Sequence, residues 1–138
     1  MRPLLFVMAF TAAASMAADH SELDGTWQLS STRDAKLKFE TLLIQQSPDG
    51  IKITESGGKE KPLDVACNLD AKQCKLKEGE FSFWYNGPAL VMMETHHNGD
   101  IVTKMRLVPG DNGKTLSLEL MRVLPAAPGA TYTFTKQP

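Results

Sequence analysis

The chain has 138 residues, with 15 Lys and Arg against 16 Asp and Glu and a formal net charge of -1. That length suits one domain, and a near-neutral chain without a basic stripe excludes the electrostatic footprint of a nucleic-acid binder. At 42% hydrophobic residues the chain has enough apolar material for a packed core and is no disordered polyelectrolyte.

The first segment, "MRPLLFVMAFTAAASMA" (1–17), has one charge at Arg2, an apolar run and then small residues. That pattern predicts a secretory signal peptide, and the run is too short to span a bilayer. Ser15 and Ala17 form the small pair that favours cleavage after Ala17; cleavage after Ala18 would put bulky Met16 at a small-residue position. A buried N-terminal helix is the alternative, but no amphipathic pattern argues for it. The expected domain is 18–138, periplasmic or secreted, with a net charge near −2 once Arg2 is removed. No further apolar run reaches membrane length, so no membrane span is expected after signal removal. Cleavage after Ala17 would also expose Ala18-Asp19-His20, whose amine, two amides and imidazole form a square-planar nitrogen site for Cu(II) or Ni(II). Removing Ala18 would destroy that site.

Beyond it no segment shows a long helical period. Short alternating runs are separated by turn residues: "GTWQLS", "KFETLLIQQ", "IKITES", "KPLDVAC", "EFSFWY", "ALVMMETHH", "DIVTKMRLV", "KTLSLELMRV" and "ATYTFT". This predicts an all-β, single antiparallel up-and-down barrel of eight or nine strands. Only "SSTRDAKLK" leaves room for a helical turn. Cys67 and Cys74, with six residues between them, predict a disulfide in an exported chain. Redox pairs usually have two intervening residues, and no nearby histidine completes a zinc pattern.

The second half can be registered. With Asn98-Gly99 as a hairpin loop, His96 faces Ile101, Glu94 faces Thr103, Met92 faces Met105 and Leu90 faces Leu107. With Asn86-Gly87 as a loop, Phe83 faces Leu90 and Phe81 faces Met92. Across "PGDNG", Leu107 faces Leu116, Met105 faces Leu118, Thr103 faces Leu120 and Ile101 faces Arg122. Three turns thus agree on one apolar inner face. Trp84, Val91 and Met93 fall outside. Adjacent His96 and His97 leave on opposite faces, His96 inward and His97 outward beside Asp100, so they cannot chelate one ion on a regular strand. Phe81, Phe83, Leu90, Met92, Met105 and Leu118 become the candidate ligand-contacting wall. Glu94, His96, Thr103 and Arg122 become a polar end, because a charged group on an inner wall must be paired or wet. Three readings of that end are open: a solvated rim with Arg122 covering apolar surface by its stem, a patch that orients a ligand, or a general base at Glu94 or His96. No hydrolase triad, phosphate loop or cofactor motif is present.

The "GTW" at Gly25–Trp27 opening the first strand resembles the Gly-x-Trp start of lipocalins. With "FWYNG", "METHHNGD", "DNGKTLSLEL" and "YTFTK", the whole mature chain looks like the small secreted bacterial lipocalin-like proteins. The resemblance implies extracytoplasmic binding of small apolar molecules, without catalytic residues. It also implies that Trp27 plugs one barrel end beneath a basic residue, for which Arg122 and Arg106 are the candidates. If Arg122 fills that role, the polar cluster marks the closed end. Lipocalins of ordinary size are longer, with larger loops and a C-terminal helix, so the resemblance leaves the cavity size open. The function expected is a lipocalin-like carrier of a small, partly apolar ligand. The alternative is a protein-interaction module, such as an exported hydrolase inhibitor, acting through loops and outer face. An enzyme built on Glu94 and His96 ranks last.

Overall fold

The computed structural model describes residues 20–138 except 59 and 97, with residue 111 described by its backbone alone. The expected signal peptide, Ala18, Asp19 and the outward placement of His97 lie outside the described residues.

A 3-10 turn, His20–Leu23, leads into ten strands: β1 Gly25–Leu29, β2 Thr41–Gln46, β3 Gly50–Ser56, β4 Leu63–Asn68, β5 Cys74–Leu76, β6 Gly79–Asn86, β7 Ala89–Thr95, β8 Val102–Gly110, β9 Thr115–Leu124 and β10 Ala127–Lys136. They form one sheet in the order β4-β3-β2-β1-β10-β9-β8-β7-β6-β5. Every neighbouring pair is antiparallel, and β1 pairs with β10, so the meander wraps into a nearly closed barrel. All nine anticipated strands are present. The tenth is β5, whose three residues are too few for an alternation to register. The "SSTRDAKLK" connection contains no helix.

The two sheet edges, β4 and β5, meet at a seam. Cys67 and Cys74 are joined across it, with their Cα atoms 5.8 Å apart, and Ala71 N–H donates to Phe83 O at 3.0 Å beside it. The disulfide therefore staples the seam between the two sheet edges. Replacing both cysteines by alanine is expected to lower stability by roughly 2.5 kcal/mol, the chain-entropy value for so short a loop. Urea unfolding of the double variant checks this; an unchanged midpoint would mean the seam holds without its staple.

The register confirms the inner face and corrects its alignment. β7 and β8 pair as anticipated, with Leu90 opposite Leu107, Met92 opposite Met105 and Glu94 opposite Thr103. At β6–β7, however, Asn86 pairs with Ala89, so Phe83 faces Met92 and Phe81 faces Glu94. At β8–β9, Leu107 faces Leu118, Met105 faces Leu120 and Thr103 faces Arg122. Both hairpins are displaced by two residues, which leaves every side chain on its expected face. The first displacement has a simple cause: Pro88 cannot donate to a ladder and is better placed in the turn, beside Gly87 at φ +59°.

The lower interior is closed. Trp27, Leu42, Ile44, Ile53, Phe83, Leu90, Leu107, Leu116, Leu118 and Phe134 have 0% of their surface exposed. An internal hollow large enough for water would leave exposed surface on its lining, so this half is packed. The lower end is sealed by the N-terminal turn. Trp27 Nε1 donates to Leu23 O at 2.9 Å, and Lys136 Nζ lies 5.2 Å from the Trp27 ring centre. The expected partners, Arg122 and Arg106, are thereby corrected. Arg106 points outward to Glu119 at 3.3 Å, and Arg122 belongs to the opposite end. Lys136 takes the place because β10 closes the barrel against β1 and sets Trp27 opposite Lys136.

Candidate functional site

The upper end is built from the 30–40 connection and the reversals that follow β3, β5, β7 and β9. Alternation along β3 points Ile51, Ile53 and then Glu55 inward, the isoleucines buried and Glu55 on the rim side of them. Alternation along β7 does the same for Leu90, Met92 and Glu94. The two carboxylates thus rise from opposite walls over a floor of Phe81, Met92 and Met105, all buried. Thr103 lies beside Glu94 on β8, and half-buried His96 follows at the end of β7, its N–H donating to Ile101 O at 3.0 Å.

Electrostatics set these two acids apart. Burial, reinforced by the charge of Glu94 and opposed by Lys38, pushes the Glu55 carboxyl up to about 8. Burial also raises Glu94, with His96 and Lys38 pulling the other way. Among the described residues neither carboxyl has a hydrogen bond or ion pair, unlike Glu40, Glu60, Glu80 and Glu119, which pair with Arg33, Lys38, Lys75 and Arg106. Water still reaches Glu55 and Glu94 from above, since both retain part of their surface.

The 30–40 connection straps this end. Tyr132 O–H donates to Asp34 Oδ1 at 2.6 Å, Ser30 and Ser31 N–H donate to Thr133 O, and Leu37 and Phe39 are buried. The Phe39 ring sits 6.1 Å from that of Phe134. Burial and Asp34 push the Tyr132 hydroxyl up to about 12, so it stays a hydrogen-bond donor throughout the physiological range.

The ten residues anticipated as ligand contacts divide by height. Phe81, Met92, Met105, Glu94, His96 and Thr103 converge at the upper end. Phe83, Leu90 and Leu118 lie in the packed lower half. Arg122 shares the Glu94–Thr103 row, one row deeper than anticipated, yet its side chain is exposed. The strands are irregular here, with register shifts between Val102 and Thr103 and between Ala127 and Ala130, and a bulge re-aims the residues around it. Glu55 joins the anticipated residues, and the Ile51-x-Ile53-x-Glu55 alternation is the sequence signal that carries it. His20 stacks on Tyr85 with ring centres 3.5 Å apart; Ala18 and Asp19, its proposed co-ligands, lie outside the described residues. Among the described residues no group of three His, Cys, Asp or Glu is arranged to hold a metal ion.

A separate groove of about 550 Å³, lined by Gln45, Gln46, Lys52, Ala66, Cys67 and Asn68 among others, lies at the lower end and is broadly open to solvent. It shares no residue with the carboxylate end. On the outer wall, Trp84 and Met93 are half-buried as the alternation anticipates, while Val91 is fully covered between its cross-strand neighbours Trp84 and Arg106.

No protein-family model matches the sequence, and no curated protein matches it. Solved structures do resemble the fold. Fatty-acid-binding protein 1 of Echinococcus granulosus superimposes with a TM-score of 0.67 at 12% identity, over 86% of this chain and 99% of that one. Wild-type fluorescent protein UnaG gives 0.65 at 15% identity, over 85% and 98%. Secretory abundant heat soluble protein 4 of Ramazzottius varieornatus gives 0.63 at 10%, over 86% and 96%. At such identities the likeness establishes architecture alone. The class defined is a ten-stranded antiparallel barrel of the lipocalin and fatty-acid-binding-protein kind, strapped at its upper end by an irregular segment.

Proposed function

We propose that this protein is an exported carrier that holds a small, partly apolar ligand at the upper end of its barrel. The observation that supports this reading best is the pair of inward, unpartnered carboxyls, Glu55 and Glu94, above a buried apolar floor. A barrel needing only stability would fill those positions with apolar side chains, since an inward polar group without a partner is costly. Polar groups converging over an apolar surface are the usual composition of a ligand site. That one structural neighbour is a fatty-acid-binding protein adds weight. The ligand's apolar part would rest on Phe81, Met92, Met105 and half-buried Leu120, with Leu37 and Phe39 moving aside to admit it.

A neutral solvatochromic dye, Nile red, is expected to bind saturably with one-to-one stoichiometry and a blue-shifted emission. Leu120→Trp, which enlarges the half-buried side chain opposite Met105, is expected to weaken that binding at least tenfold. Equal binding by both proteins would place the dye elsewhere and contradict the reading. The second reading, a protein-interaction module, is favoured by the packed lower half and by Val123 and Leu124, exposed to 46% and 49% at the β9–β10 tip. It expects no saturable dye binding at all.

A further inference from the structure

Resting on the ligand-carrier reading above, we infer that the preferred ligand carries an organic cation: an amphipathic amine whose ammonium group sits between Glu55 and Glu94 and whose chain lies on the Phe81–Met92–Met105 floor. The argument begins with what each carboxyl lacks. Glu55 is half-buried, points into the barrel, and has no hydrogen-bond or ion-pair partner among the described residues. Glu94 approaches it from the opposite wall, equally unpaired. Two acids that repel one another across an apolar floor are arranged as a cation's counter-charges, not as a self-sufficient structural pair.

The charged groups facing them are few. Glu55 is faced by Glu94, Lys38 and Glu60, and Glu94 by His96 and Lys38. Lys38 acts on both acids, but its ammonium is 3.7 Å from Glu60 and its side chain is 68% exposed. It therefore dilutes the negative field without neutralising it. Arg122 lies in the same row, yet its exposed side chain pairs with neither acid. An anionic head group would meet two acids, and a neutral one would gain nothing from them as counter-charges. An ammonium donates up to three hydrogen bonds and accepts none, which suits a site made of acceptors.

A bound cation also favours the ionised carboxyls. The high affinity of Glu55 for its proton then makes binding proton-linked: below the titration of Glu55, ammonium binding must expel a proton, so affinity rises with pH.

Isothermal titration calorimetry with three probes of equal chain length, decylammonium, decanol and decanoate, tests this. At pH 8 decylammonium is expected to bind at least tenfold tighter than decanol, with decanoate weakest. At pH 7 its observed enthalpy should vary with the buffer's ionisation enthalpy, reporting proton release. Glu55→Gln and Glu94→Gln should each weaken decylammonium at least fivefold while sparing decanol. Lys38→Met should tighten it, a gain that misfolding cannot mimic. Equal affinity for the three probes, or preference for decanoate, overturns the cation proposal and leaves the carrier reading standing. Binding of none of them overturns both.

Discussion

Trp27→Ala is expected to lower the unfolding free energy by about 3–5 kcal/mol, the usual range for removing a fully buried large aromatic. Trp27 has no exposed surface, so its removal leaves a void that the surrounding β-strands, held by hydrogen bonds on both sides, cannot collapse to fill. It also orphans the Leu23 carbonyl that accepts from Nε1 at 2.9 Å, adding to the cost. Lys136→Met is the control. It keeps the apolar stem and removes only the ammonium 5.2 Å from the ring, so a loss of about 0.5–1 kcal/mol is expected. Urea unfolding of the three proteins measures both. A Trp27→Ala loss below about 1 kcal/mol, within reach of an ordinary surface change, would show that the N-terminal turn does not seal the lower end.

Glu55→Gln should act in the opposite sense, with an effect that grows as pH rises above about 4.5. An acid whose folded-state pKa stands at about 8, against an ordinary value of 4.5, keeps its proton when folded at pH values where the unfolded chain has released it. The stability linked to that proton is fully present below about pH 4.5 and is lost as pH rises through about 8. At 1.36 kcal/mol per unit, reduced because water reaches the carboxyl from above, the swing between pH 5 and pH 9 should be about 2–4 kcal/mol in the unmodified protein. Glutamine cannot ionise and keeps the shape of the protonated acid. The variant should match the parent at pH 5 and exceed it at pH 9 by most of that swing, subject to the smaller contribution of Glu94, which still titrates. Parallel stability profiles for the two proteins would show that Glu55 is not held in a confined site.

Much of this architecture is written in the chain at the scale of two residues. The face assignment of β6 to β9 follows from alternation and from three tight reversals, and the barrel bears it out for Phe81, Phe83, Met92, Met105 and Leu118. The two-residue displacements at Pro88 and at Asn112-Gly113 escaped because a slip of that size leaves the pattern of faces unchanged. Features that depend on distant closure were illegible. Lys136 reaches Trp27 because the last strand pairs with the first, a contact between the two ends of the domain that no local period encodes. Leu37 and Phe39 plug the upper interior from an irregular strap, where neither the helical nor the strand period applies. Glu55 stands between these cases. Its inward orientation follows from Ile51 and Ile53, but its partnership with Glu94 depends on two walls facing each other across a closed barrel, a juxtaposition that no local period encodes.

The proposed ligand site is an acid-lined upper end above a packed floor. Its most direct measurement is carboxyl-selective NMR of ¹³C-glutamate-labelled protein, titrated with pH before and after addition of decylammonium. The expected result is a Glu55 carboxyl that titrates near 8 in the free protein, falls toward the ordinary range with the amine bound, and shifts in step with Glu94 while Glu22, near the lower end, stays still. A Glu55 that titrates near 4.5 in the free protein, or that ignores the amine while Glu22 responds, would contradict it.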